Sequence, residues 1–260
     1  YADGVAMYLA FTIDRLAQQY STLAPWSSHP AHELVVNMFS RQTLAMTWDF
    51  GEINPFCESA SWNKVLDYLC KVIEKFQSSH SIPGIVLQCD AQAISTVYDQ
   101  GLVISTDPPY YDNIGYADLS DYFYVWLRRS LLPYYPKLFA TVLVPKKQEL
   151  IASPFRFGQD SELAKKFFET GLEEVFSRIQ NISHLAYPVT IYYAFKQSES
   201  VEGTDQGNAS TGWETLLEAL IRSKFAITGT WPVRTERQGR MLSQNTNALA
   251  SSVVLVCRIR

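Results

Sequence analysis

From residue 84 to residue 260, short apolar segments alternate with longer segments of helical periodicity. The apolar segments lie at 84–89, 101–106, 189–195, 226–233 and 251–259, and the helical ones at about 118–131, 160–180 and 213–223. Such alternation favours a parallel sheet with helices on both faces, because a parallel crossover of this length usually carries a helix. Only a loop, at about 234–250, joins the last two segments, which predicts an antiparallel last strand. We therefore expect an α/β protein with a mostly parallel sheet.

The first 80 residues have a different pattern. Apolar side chains recur at helical spacing at 3–20 and again at about 61–78, which predicts two additional N-terminal helices. We expect residues 1–80 to form a helical segment that is inserted in, or packed on, a domain at 81–260.

Composition argues against several classes of protein. The longest apolar stretches are roughly six to eight residues, well below the ~20 that span a bilayer, so we expect no membrane partner and a cytoplasmic location. The 4 cysteines and 4 histidines form no ligand pattern, which predicts no metal site. The net charge of -4 argues against an autonomous nucleic-acid-binding domain, since such domains usually carry a basic excess.

The tetrapeptide Asp107-Pro108-Pro109-Tyr110 follows the apolar segment 101–106 directly. Ligands bind at the carboxyl ends of the strands in an open parallel sheet. Proline lacks an N–H donor and has a fixed φ, so the prolines hold their carbonyls as acceptors in set directions. The Asp107 carboxylate and the Pro108 carbonyl can then accept both hydrogens of an exocyclic amino group, while a planar base stacks on Tyr110. The alternative is an ordinary strand-ending turn.

Asp-Pro-Pro-Tyr at the end of a strand resembles the catalytic motif of the S-adenosylmethionine-dependent methyltransferases that act on adenine N6 or cytosine N4 in DNA. The string DPPYYDNIGYADLSDYFYVWLRR, with RQTLAMTWDFGEINPF before it and NALASSVVLVCR after it, is similar to large prokaryotic zinc-ribbon-containing adenine-specific DNA methylases. Some of these proteins are found among antiphage defence genes. The resemblance covers nearly the whole chain and implies adenine N6 as the target, with cytosine N4 left open. It also implies S-adenosylmethionine as cofactor, DNA as a partner of the full-length protein, and partner proteins of a defence system.

The resemblance also implies roles for individual residues. The implied catalytic residues are Asp107, Pro108, Pro109 and Tyr110. The implied cofactor contacts are Asp90, Ala91 and Thr106. The implied contacts to the target base are Tyr111, Tyr116, Arg234 and Asn247. An ordinary strand-terminating aspartate is an equal alternative for Asp90.

One departure from the family concerns glycine. The family fold holds the methionine part of the cofactor with an F-x-G-x-G loop after its first strand, whereas no two glycines of this chain are separated by a single residue. We therefore expect an incomplete Rossmann-like methyltransferase sheet, in which residues 81–260 supply the third to the last strand. The missing strand and loop are expected upstream of Tyr1. No close cysteine pair marks a zinc ribbon here.

Two alternatives stay open. Similar motifs occur in methyltransferases of ribosomal RNA, so the target can be an RNA base. The chain can also be a non-catalytic methyltransferase-like module of a defence assembly, which keeps the motif without binding the cofactor.

Overall fold

A computed structural model describes residues 1–30, 32–39, 44, 46–58, 60–76, 84–96, 101–111, 114–195, 211–233 and 251–260. The chain divides into two compact units, one made of residues 1–85 and 116–146, the other of residues 86–115 and 147–260. The predicted helical segment 1–80 lies within the first unit, which also contains residues 116–146.

The described part of the chain contains five α-helices and six β-strands. The helices are α1 (Ala2–Tyr20), α2 (Trp62–Lys75), α3 (Tyr116–Leu131), α4 (Ser161–Ile182) and α5 (Thr211–Arg222). The strands are β1 (Trp26–His29), β2 (His32–Val35), β3 (Ser105–Thr106), β4 (Val189–Phe195), β5 (Phe225–Val233) and β6 (Ser251–Ile259). Within the described residues no helix combines the length and the apolarity that a bilayer crossing needs.

In the first unit α1 packs against both α2 and α3. The Ser61 hydroxyl caps α2 by accepting a hydrogen bond from the Lys64 N–H, which satisfies one donor of the first turn. The Tyr122 hydroxyl of α3 donates to the Ala17 carbonyl of α1 at 2.7 Å. A small core joins α1 and α3, with the buried residues Ala10, Tyr124, Leu131 and Phe139. Both predicted N-terminal helices are confirmed.

Asp14 on α1 is a partly buried carboxyl group. Its Oδ1 atom is shielded from solvent and has no hydrogen-bond partner among the described residues. Burial raises the pKa of Asp14 from 3.8 to about 7, because removal from water disfavours the charged form.

Asp14 is expected to make the protein less stable as the pH rises. Between pH 3.8 and about 7 the folded protein keeps a proton on Asp14 that the unfolded chain releases, so the free energy of unfolding falls across this window. Asp14→Asn, which stays neutral, should lose this part of the pH dependence and be more stable than the wild type at about pH 8. Urea unfolding midpoints at several pH values measure the effect, with Asp3→Asn on the same helix as the control. An unchanged pH dependence in Asp14→Asn would contradict it.

The second unit contains a four-stranded sheet in the order β3-β4-β6-β5. Strands β3 and β4 are parallel, while β6 is antiparallel to both β4 and β5. The described sheet is therefore mixed, and the expectation of a mostly parallel sheet is wrong for it. The antiparallel last strand is confirmed, but β6 lies inside the sheet because it pairs with β4 as well as with β5.

Helices α4 and α5 pack on one another and supply the core of the second unit together with the sheet. The side chains that alternate along β4 and β6 towards this core are Val189, Ile191, Tyr193, Leu255 and Cys257. From α4, Phe168, Leu172 and Phe176 complete the cluster. The period-two alternation of β4 therefore places Val189, Ile191 and Tyr193 on the face that packs in this cluster.

The predicted strand at 84–89 is not formed, since residues 84–90 have no regular secondary structure and are exposed. The predicted strand at 101–106 is reduced to Ser105 and Thr106, with an isolated parallel bridge between Leu102 and Ser183. Within the described sheet β3 pairs with β4 alone. A β-strand is stabilised by its hydrogen bonds to a neighbouring strand. An apolar segment without such a neighbour therefore lacks the interactions that would hold it in the β conformation.

Candidate functional site

The motif 107–110 begins where β3 ends, after Thr106. Because β3 and β4 are parallel and Thr106 pairs with Ile191, the carboxyl ends of both strands face the same edge of the sheet. Asp107 is exposed at this edge, and Pro108, Pro109 and Tyr110 are half-buried behind it. The carboxylate is therefore the part of the motif most open to a ligand.

The Tyr110 hydroxyl donates a hydrogen bond to Oδ1 of Asp107 at 3.2 Å. Two effects act on this carboxyl group. Partial burial raises the pKa of Asp107 above its ordinary value, and the hydrogen bond from Tyr110, the smaller effect, lowers it. The hydroxyl lowers the pKa because it stabilises the ionised form.

The Tyr110 ring rests against Tyr193 of β4 in an edge-to-face contact, with ring centroids 5.6 Å apart and planes at 86°. Tyr193 is buried, and its hydroxyl donates to the Gly212 carbonyl at 3.3 Å. The ring of Trp213 lies 6.1 Å from that of Tyr193. The beginning of α5 thus stands directly behind the aromatic part of the motif.

Tyr111 anchors the end of the motif in the core. Its ring meets Phe168 of α4 edge-to-face at 5.1 Å, and its carbonyl accepts a hydrogen bond from the Ala152 N–H at 2.8 Å. A Cβ atom at position 212 would lie 2.7 Å from Cβ of Tyr111, so glycine is required there for α5 to approach this closely. The structure thus gives Tyr111 a packing role; its predicted contact with a base stays a prediction.

Asp90 precedes a short 3-10 helix, Ala91–Thr96. Its Oδ1 accepts a hydrogen bond from the Gln92 N–H, and its carbonyl accepts one from the Ala93 N–H, both at 2.9 Å. Asp90 and Ala91 are exposed, and Thr106 is half-buried in β3. These residues offer a methyl-donating cofactor one accessible carboxylate, that of Asp90, which already accepts a backbone hydrogen bond. The described residues could therefore contact such a cofactor at one point, but they do not surround it.

Three predicted contacts to the target base remain, Tyr116, Arg234 and Asn247. Tyr116 is the first residue of α3, belongs to the first compact unit, and is exposed. Arg234 and Asn247 lie outside the described residues. In the described stretches, no three His, Cys, Asp or Glu side chains are grouped so that they could hold a metal ion.

Sequence reasoning missed Tyr193 and Gly212. For Tyr193 a signal exists: in VTIYYAF it alternates with Ile191 and Val189, which predicts that these three side chains share a face of the strand. For Gly212 no signal exists, because the contact with Tyr111 joins residues that are distant in sequence. No family model, curated protein or solved structure matches the chain.

Proposed function

We propose that this chain carries the amine-orienting part of an S-adenosylmethionine-dependent methyltransferase that acts on adenine N6 in DNA. The observation that carries the proposal is the placement of the Asp107 carboxylate at the carboxyl end of a parallel strand, with its Oδ1 already held by Tyr110. The finer fold assignment belongs to this proposal: an incomplete Rossmann-like sheet whose last strand is antiparallel. So does a cytoplasmic location, with DNA and proteins of a defence system as partners.

In the proposed reaction the residues of the motif act on the target amine. The Asp107 carboxylate and the Pro108 carbonyl each accept one hydrogen of the exocyclic amino group, which aims the nitrogen lone pair away from the motif. As the nitrogen becomes cationic, the hydrogen bond to the carboxylate strengthens, so Asp107 stabilises the transition state more than the ground state. The Tyr110 ring stacks on the base, which has left the duplex.

S-adenosylmethionine, when bound, supplies the electrophilic methyl group. Asp90, Ala91 and Thr106 are the described residues assigned to contact it. The glycine-rich loop that the family uses for the methionine part is missing from the 260 residues. We therefore expect these 260 residues alone to bind the methyl donor weakly or not at all, which calorimetric titration with S-adenosylmethionine would measure.

The test measures methyl transfer by the intact protein. Methyl-labelled S-adenosylmethionine is offered with unmethylated genomic DNA or with total RNA, and the labelled nucleosides are identified after digestion. The expected product is N6-methyldeoxyadenosine. N4-methyldeoxycytidine would keep the reaction and correct the base, while label in RNA alone would overturn DNA as the substrate. A folded protein without transfer to either would overturn the enzymatic proposal in favour of a non-catalytic module.

A further inference from the structure

Tyr193 connects the motif to α5 through two different contacts. Its ring supports the Tyr110 ring edge-to-face at 5.6 Å, and its hydroxyl is tied to the Gly212 carbonyl. Only 2% of Tyr193 is exposed, so the ring has little room to move within a close-packed core.

The hydrogen bond that depends on this support is long. The Tyr110 hydroxyl lies 3.2 Å from Oδ1 of Asp107, whereas O–H···O bonds usually measure about 2.5–3.0 Å. A small swing of the Tyr110 ring therefore lengthens the contact beyond hydrogen-bonding range. The hydroxyl stands at the far end of the ring, where such a swing has its largest effect.

We propose that Tyr193 is a positioning residue, which fixes the Tyr110 ring and through the Tyr110 hydroxyl orients the Asp107 carboxylate. The inference adds a residue on β4 to the motif and rests on the proposed function. The Tyr110 hydroxyl then orients Asp107, while the Tyr110 ring stacks on the target base. The inference also gives the close approach of α5 to the motif a role, since the Gly212 carbonyl near the start of α5 anchors the Tyr193 hydroxyl.

The neighbouring Tyr192 offers a matched control. It lies on the same strand but points to the other face of the sheet, and 46% of it is exposed. Tyr193→Leu is expected to lower the single-turnover rate of methyl transfer about twofold to tenfold, the factor that corresponds to the free energy of an edge-to-face aromatic pair. Tyr192→Leu should leave the rate unchanged, and Tyr193→Phe, which keeps the ring, should change it less than Tyr193→Leu.

A second measurement separates positioning from mere structural support and needs no methyl transfer. The pKa of the Asp107 carboxyl is followed by carbon-13 NMR in four proteins: wild type, Tyr193→Leu, Tyr110→Phe and the double variant. If Tyr193 acts through the Tyr110 hydroxyl, Tyr193→Leu weakens the hydrogen bond to Asp107 and so raises the pKa of Asp107 when that hydroxyl is present. In the Tyr110→Phe background, which lacks the hydroxyl, the same substitution should raise this pKa less. Equal effects in the two backgrounds would overturn the proposal.

If Tyr193→Leu does not fold, Tyr193→Met replaces it, since methionine fills irregular gaps in a core, and the same comparison applies. Failure of the proposed function is seen separately, as absence of methyl transfer by the wild type. The NMR comparison then still decides whether Tyr193 positions Asp107.

Discussion

Replacing Asp107 by alanine is expected to slow single-turnover methyl transfer by the intact protein roughly a hundredfold to a thousandfold, the cost of losing about 3–4 kcal/mol of transition-state stabilisation. The lost hydrogen bond strengthens only as the amine nitrogen gains charge. The affinity for the methyl donor should therefore change far less than the rate.

Two further variants sharpen this result. Asp107→Asn keeps a carbonyl acceptor but loses the charge, so its rate should lie between those of the wild type and Asp107→Ala. Asp67→Ala removes an exposed aspartate of α2 that pairs with Lys71, and it should have the wild-type rate. Rates are compared after thermal melting has shown that each variant is folded. If folded Asp107→Ala retains more than about a tenth of the wild-type rate, Asp107 does not orient the amine, and the motif is an ordinary strand-ending turn.

Leu172→Ala is expected to destabilise the protein strongly. Only 1% of Leu172 is exposed, and it lies in the core cluster of the second unit. Deleting a buried leucine side chain removes its burial and leaves a cavity, at a cost of about 2–5 kcal/mol. At roughly 2–4 °C per kcal/mol for a chain of this size, the melting temperature should fall by about 4–20 °C.

The same helix provides the control. Leu163 is also a leucine of α4, but 53% of it is exposed, so Leu163→Ala should cost less than about 1 kcal/mol. The measurement is calorimetric or urea unfolding of both variants. Equal losses at positions 163 and 172 would contradict the assignment of the buried face of α4.

The parts of the fold that sequence predicts well are those that depend on local periodicity. The helix at about 160–180 is observed as Ser161–Ile182, and the strands at 189–195 and 251–259 are observed with the predicted bounds. The segment at 84–89 is equally apolar, yet it forms no strand. A strand also needs a partner, which periodicity does not reveal.

Some residues of the candidate site can likewise be predicted from local sequence, and others cannot. Asp107 and Tyr110 are recognised from a contiguous motif whose chemistry can be argued residue by residue. The contact between the Tyr110 hydroxyl and Asp107 follows only from the turn that the backbone makes between them. Tyr193 and Gly212 come to the motif through the packing of β4 and α5, which are far from it in sequence.

The pairing of β3 with β4 also affects how the protein folds. Ser105 and Thr190, whose hydroxyls are hydrogen-bonded at 3.0 Å, are 85 residues apart in the chain. Closing so long a loop costs chain entropy before the two-residue strand β3 returns any pairing energy, and contacts of this kind slow folding. The strands β5 and β6 are close together in the chain, and helices form from local contacts, so neither requires closing so long a loop. We therefore expect the edge that holds Asp107 to be completed late in refolding, after α4, α5 and the pair β5–β6 have formed.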